Sequence, residues 1–246
     1  MIPLCLSQET LKRLNSMIKA VVFDLDDTLI SEHQYIESGY QKVAEFLNDK
    51  YGWSIETTKK RLLELLKKDS KNVFNRLFEE KQVNFDIPEI LKLVSVYRNH
   101  LPNIEFFSDV IPTLQVLKEK SIKLGIITDG YRETQNNKLK VLQAEKYFDS
   151  IIVTEELGRE YWKPHPRSFE IISDEFDIQF DEMVYVGDNP KKDFYIRKFY
   201  PIHTMRIIRE NSVYSKEDYR EGIREEKRIF KLDDVIEYIE SFLELQ

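Results

Sequence analysis

A single cysteine, Cys5, in 246 residues excludes an intramolecular disulfide framework and fits a reducing compartment. No apolar run approaches the length of a membrane span. The opening Met1-Ile2-Pro3-Leu4-Cys5-Leu6 lacks a basic leader and soon runs into polar residues, so it does not read as a signal peptide. Positive charge is in deficit. Against 44 Asp and Glu stand 37 Lys and Arg, and the net charge of −7 gives no general attraction to nucleic acid or to an anionic membrane. Histidine is scarce and scattered, with His33, His100, His165 and His203 at no spacing that suits a metal. Internal repeats and low-complexity tracts are absent. These absences leave a soluble, cytoplasmic globular protein, with 41% hydrophobic residues to build a core and 33% charged residues to solvate it.

The informative stretch is Lys19-Ala20-Val21-Val22-Phe23-Asp24-Leu25-Asp26-Asp27-Thr28-Leu29-Ile30. Ala20 to Phe23 reads as a short buried strand that ends in three carboxylates and a hydroxyl. Acids are costly inside a core, so this strand must deliver them to an open edge, where parallel sheets hold their ligand crevice. Asp24 and Asp26, two apart, point the same way in an extended segment. Such a pair suits a hard cation, or a nucleophile with an acid/base partner, although Asp27 and Thr28 could equally cap a following structure.

Residues 33–101 change character. Helical spacing runs over Tyr35–Tyr51, Ile55–Lys68, Lys71–Glu80 and Ile87–Leu101, with breaks at Gly52, Asp69-Ser70 and Asp86 with Pro88. This predicts a small all-helical domain inserted after the first strand, over residues 32–105. The core domain is then expected over 1–31 and 106–246. Within residues 2–16 a short amphipathic helix is expected, outside the core proper.

From residue 108 helices and strands alternate. Helices are expected over Ser108–Lys120, Arg132–Ala144 and Arg167–Phe176, and strands over Ile122–Thr128, Ser150–Val153, Met183–Val186 and His203–Ile208. The alternation predicts an α/β fold, a Rossmann-like parallel sheet with helices on both faces. Residues 210–229 read as a solvated loop or surface helix, and Leu232–Leu245 as a closing helix.

Three further strand ends and loops carry chemistry: Thr128-Asp129-Gly130, Lys163-Pro164, and Gly187-Asp188 with Asp193. In a parallel sheet their tips share one edge with Asp24 and Asp26. So many carboxylates repel one another unless a cation lies among them, and oxygen-only ligation favours Mg²⁺. A lysine, a hydroxyl and backbone amides suit a bound phosphoryl group. The chemistry suggested is metal-assisted attack of an aspartate on phosphorus.

On these four motifs the chain resembles the haloacid dehalogenase-like phosphohydrolases, from about residue 18 to 209. The resemblance implies that Asp24 is the nucleophile and a Mg²⁺ ligand. Asp26 would be the acid/base, adding its backbone carbonyl to the metal, and Asp188 would be a further ligand. Thr128, Asp129, Gly130 and Lys163 would bind phosphate, with Lys163 also positioning Asp24. Asp193 would support the metal through water or pair with Lys163. The helical insert would be a type 1 cap that selects the substrate. Two departures stand out: Asp129 replaces the frequent Asn, and bulky residues (Phe194, Tyr195, Ile196) follow Asp193, where many relatives have small ones.

The implied function is a Mg²⁺-dependent phosphatase acting on a small phosphorylated metabolite, of the sugar phosphate or nucleotide class. A dehalogenase needs no acid/base at position 26, because halide leaves without a proton. A phosphoryl-transfer mutase would use the same motifs, and a phospho-aspartate regulatory protein would cluster similar groups without the insert.

Overall fold

The computed structural model describes residues 17–210, 212, 214 and 217–243. The short helix expected within residues 2–16 lies outside them. Contacts divide the chain into two compact units. One takes the chain through Ser31, Phe106–Arg132 and the stretch from Gln143 onward; the other takes Glu32–Glu105 and Glu133–Leu142.

The first unit is built on six parallel strands in the order β3-β2-β1-β4-β5-β6. They are β1 (Ala20–Phe23), β2 (Lys123–Thr128), β3 (Ser150–Val153), β4 (Met183–Gly187), β5 (His203–Ile207) and β6 (Lys227–Ile229). β1 and β4 are buried at every position, the pattern of strands covered on both faces, and their near-unbroken apolar runs follow from it. Phe23 pairs with Ile126 on one side and Val186 on the other, so the carboxyl ends of the three central strands open at one level. Phe169, Ile172, Met183, Tyr185, Ile196 and Ile202 lie in the core cluster beside them. This is the Rossmann-like α/β core that the alternation predicts.

One element was not foreseen. The polar stretch 210–229 contains β6, which pairs with β5 from Met205↔Lys227 to Ile207↔Ile229. Of its three residues only Ile229 is buried, and a short edge strand with two basic side chains has no apolar run to betray it. The stretch is therefore not all loop or surface helix.

The second unit is helical: α1 (Glu32–Tyr51), α2 (Ile55–Lys68), α3 (Val73–Glu80) and α4 (Ile87–Asn99). Ser54 accepts the Thr57 amide and Asp86 the Glu89 amide, so α2 and α4 begin at side-chain caps, α4 with Pro88 in its first turn. Their apolar stripes meet in a core of their own around Leu47, Leu62, Leu77, Phe78 and Leu93. A fifth helix, α6 (Arg132–Val141), packs here almost entirely, although it follows β2 in the chain. The Thr134 hydroxyl donates to the Arg98 carbonyl at 3.0 Å and the Asn137 amide to the Asn99 carbonyl at 3.1 Å. The remaining helices, α5 (Val110–Glu119), α7 (Arg167–Phe176) and α8 (Asp234–Leu243), belong to the sheet unit. No described helix is long and apolar enough to cross a membrane.

Candidate active site

The backbone at the end of β1 is committed before any side chain acts. The Asp24 amide donates to the Val186 carbonyl at 2.9 Å, extending the β1–β4 pairing by one residue. The chain then turns: the Leu29 and Ile30 amides both return to the Leu25 carbonyl, at 2.9 and 3.2 Å, and Asp27 takes a positive φ of 51°. Asp27 is thus a buried turn former, as its position next to Thr28 suggests.

Around Asp24 the sheet edge gathers residues distant in sequence. Lys163 Nζ, fully buried, lies 2.8 Å from Asp24 Oδ1 and 2.9 Å from Asp193 Oδ1, and donates to the Tyr185 hydroxyl at 2.8 Å. Asp193 is itself fully buried, and its Oδ2 accepts the Asn189 amide at 2.8 Å. With one oxygen on Lys163 and the other on Asn189, Asp193 pairs with the lysine, one of the two alternatives the resemblance left for it. The bulky residues after it are accommodated by burial, Phe194 and Ile196 completely, in a short 3₁₀ turn (Tyr195–Lys198). Gly187 makes room for this arrangement, since a Cβ there would sit 2.5 Å from Asp193 Oδ2.

One oxygen each from Asp24, Asp188 and Asp193 lies within 4.8 Å of the others, the one such cluster among the described residues. Asp26 is half-buried two residues beyond Asp24, and its carboxylate is not one of the three. All donors are carboxylate oxygens, which favours a hard divalent cation over zinc or copper.

At the end of β2, Thr128 is fully buried, and Gly130 takes a φ of 146° that an L side chain rarely adopts. Asp129 is anchored: Oδ1 accepts the Thr154 hydroxyl at 2.7 Å and the Lys163 amide at 3.1 Å, and Oδ2 meets Lys192 Nζ at 3.1 Å. Its carboxylate therefore ties the second motif to the third and fourth, and anything it offers a phosphoryl group comes through its backbone.

The electrostatics follow from this crowding. Burial raises the Asp24 pKa to about 6, with Lys163 opposing the rise. Burial and the charges of Asp193 and Asp24 raise Asp188 well above the usual carboxylate value. Burial works against the Lys163 ammonium, but the Asp193 and Asp24 charges outweigh it and hold its pKa well above the ordinary lysine value. Burial would also raise Asp129, yet Lys163 and Lys192 keep it below the ordinary aspartate value. Carboxylates thus outnumber ammonium groups at this edge, an imbalance that a divalent cation would answer.

Sequence reasoning missed Lys192, Tyr185 and Thr154. Lys192 had a signal: an extra carboxylate at position 129 calls for a cation, and Lys192 lies inside the fourth motif. Tyr185 shares a strand face with Gly187, the residue whose missing side chain admits Asp193. Thr154, just beyond β3, carries no such mark.

The haloacid dehalogenase-like hydrolase family matches residues 21–207. A glyceraldehyde 3-phosphate phosphatase of Methanocaldococcus jannaschii is 31% identical over 209 residues, 78% of this chain and 86% of that protein. The pyrophosphatase PpaX of Bacillus mycoides is 27% identical over 177 residues, 70% of this chain and 75% of its own. Among solved structures, a HAD phosphatase from Thermococcus onnurineus superposes with a TM-score of 0.57 at 26% identity, over 90% of this chain and 98% of that one. The chain therefore belongs to the haloacid dehalogenase-like hydrolases, and it is an enzyme of their phosphatase branch.

Proposed function

We propose that the protein is a Mg²⁺-dependent phosphomonoester hydrolase that acts on a small phosphorylated metabolite through a phosphoryl group carried on Asp24. The observation that carries this reading is the buried Asp24–Lys163–Asp193 arrangement beside Asp188, at the open end of a parallel sheet. Asp24 attacks phosphorus as the bond to the leaving oxygen breaks, and Asp26 gives that oxygen its proton. Asp26 then takes a proton from water, whose oxygen attacks the same phosphorus and releases phosphate and the Asp24 carboxylate. The Thr128 hydroxyl and the backbone amides of Asp129 and Gly130 hold phosphoryl oxygens. Lys163 keeps Asp24 ionised, and Asp193 keeps Lys163 in place.

Asp24, Asp188 and the Asp26 carbonyl would hold Mg²⁺, which when bound neutralises charge on the phosphoryl oxygens. The helical insert is read as the substrate-selecting cap. Its separate core supports this reading. The relatives' names, a glyceraldehyde 3-phosphate phosphatase and a pyrophosphatase, support small phosphorylated substrates. The net charge of −7 speaks against nucleic acid.

The test is phosphate release from a panel of sugar phosphates, nucleoside monophosphates and pyrophosphate, with Mg²⁺ or EDTA, beside Asp24→Asn. Mg²⁺-dependent release abolished by the substitution is expected. Folded protein that binds Mg²⁺ and releases phosphate from none of them would sink the hydrolase reading in favour of phosphoryl transfer.

A further inference from the structure

Asp188 is held from a stretch of chain that none of the four motifs includes. Its carboxylate Oδ2 accepts the Ser212 hydroxyl at 2.8 Å, across 24 residues of sequence, and both side chains are buried. Its backbone carbonyl accepts Nε of Arg206 at 3.1 Å. Arg206 lies on β5, where it pairs with Gly187, and it is also buried. Its other nitrogens donate to the Tyr214 carbonyl at 3.1 Å and the Tyr219 hydroxyl at 2.8 Å. The guanidinium therefore ties Tyr214 and Tyr219 to the end of β4. The Ser212 amide returns to the Arg209 carbonyl at 3.3 Å, and the Tyr214 amide reaches the Ser212 hydroxyl oxygen at 3.4 Å.

We infer that Ser212 is a positioning residue for the metal ligand Asp188, set in place by Arg206 through Tyr214. This rests on the Mg²⁺ reading above. One Asp188 oxygen lies within 4.8 Å of oxygens of Asp24 and Asp193, a spacing of carboxylates that has to be held together by its surroundings. A hydroxyl fixed on one oxygen helps to hold it and leaves the other oxygen aimed for a cation. Supporting hydrogen bonds of this kind typically matter by about 10–100-fold in metal affinity. A serine serving only to fasten the loop would affect thermal stability and leave metal affinity alone.

The experiment measures Mg²⁺ affinity of the full chain by titration calorimetry, and its melting temperature in EDTA. Wild type, Asp188→Asn, Ser212→Ala, Ser212→Thr and Ser212→Cys are compared. Ser212→Ala is expected to bind Mg²⁺ at least about 10-fold more weakly. Ser212→Thr, which keeps the hydroxyl, should recover affinity, and Ser212→Cys, a similar shape with a weak donor, should not. If Ser212→Ala does not fold, the Cys and Thr variants decide the question alone. Wild-type affinity in Ser212→Ala or Ser212→Cys, while Asp188→Asn is weakened, overturns the positioning role and leaves the metal reading standing. Wild-type affinity in Asp188→Asn as well overturns both.

Discussion

Replacing Lys163 with Met keeps a long unbranched stem and removes the charge that two buried carboxylates share. Each contact is short, 2.8 Å to Asp24 and 2.9 Å to Asp193. At an effective dielectric constant of about 20, a unit charge pair at such a distance is attracted by roughly 6 kcal/mol before desolvation is charged against it. Desolvation consumes much of that gain, yet deleting one partner of a buried pair still costs about 3–5 kcal/mol, because the survivors stay buried without a counter-ion. For a chain of this size that is a fall in melting temperature of about 10 °C.

The penalty must depend on pH. Asp24 already stands at about 6 with Lys163 lowering it, so loss of the lysine moves it higher. A carboxyl whose folded pKa exceeds its unfolded value loses stability as pH rises from the unfolded pKa to the folded one, so variant and wild type lose alike until pH passes the wild-type folded pKa and diverge only above it. In EDTA, the deficit of Lys163→Met relative to wild type should therefore be small near about pH 5 and approach its full size near about pH 8. Urea unfolding at both values measures it. A deficit that is the same at both, or none at about pH 8, would refute the reasoning.

Two other substitutions probe the frame around the site. Gly187→Ala places a Cβ 2.5 Å from Oδ2 and 2.7 Å from Cγ of Asp193, a buried side chain held by Lys163 and Asn189 with nowhere to retreat. It should cost about 1–3 kcal/mol in thermal unfolding and sharply reduce phosphate release, whereas a variant as stable and active as wild type would contradict the packing described. Asp109 accepts two bonds from Arg209, at 2.7 and 3.0 Å, and the Leu232 amide at 2.8 Å. Burial opposes its ionisation, but these bonds hold its pKa below the usual aspartate value. A depressed folded pKa adds stability above the unfolded value and loses it as pH falls through the folded one. Asp109→Asn should therefore be less stable by about 1.5–3 kcal/mol at neutral pH. The gap should narrow below about pH 4, and a pH-independent gap would argue for shape instead of charge.

What could be read from the sequence was what local grammar writes. Asp24 follows four apolar residues, Asp188 follows four and a glycine, and Thr128 closes an apolar run, so each announces a strand end and its contents. That signal comes from burial, which is periodic and continuous along a strand. Ser212 and Thr154 announce nothing, because each acquires its partner only when the fold brings together segments 24 and 25 residues apart. The same limit hid β6, whose three residues offer only Ile229 to the core. It also governs α6, whose place beside α4 rests on the Thr134 and Asn137 bonds to Arg98 and Asn99 rather than on its position after β2. The two kinds of residue also differ in what selects them. A reacting carboxylate must sit at an open strand end, which restricts its neighbours in sequence. A residue that holds it in place needs only one hydrogen bond of correct length, and many positions in a fold can supply that. The groups proposed to react are thus carried by motifs, while their supports are set by how this chain packs around them.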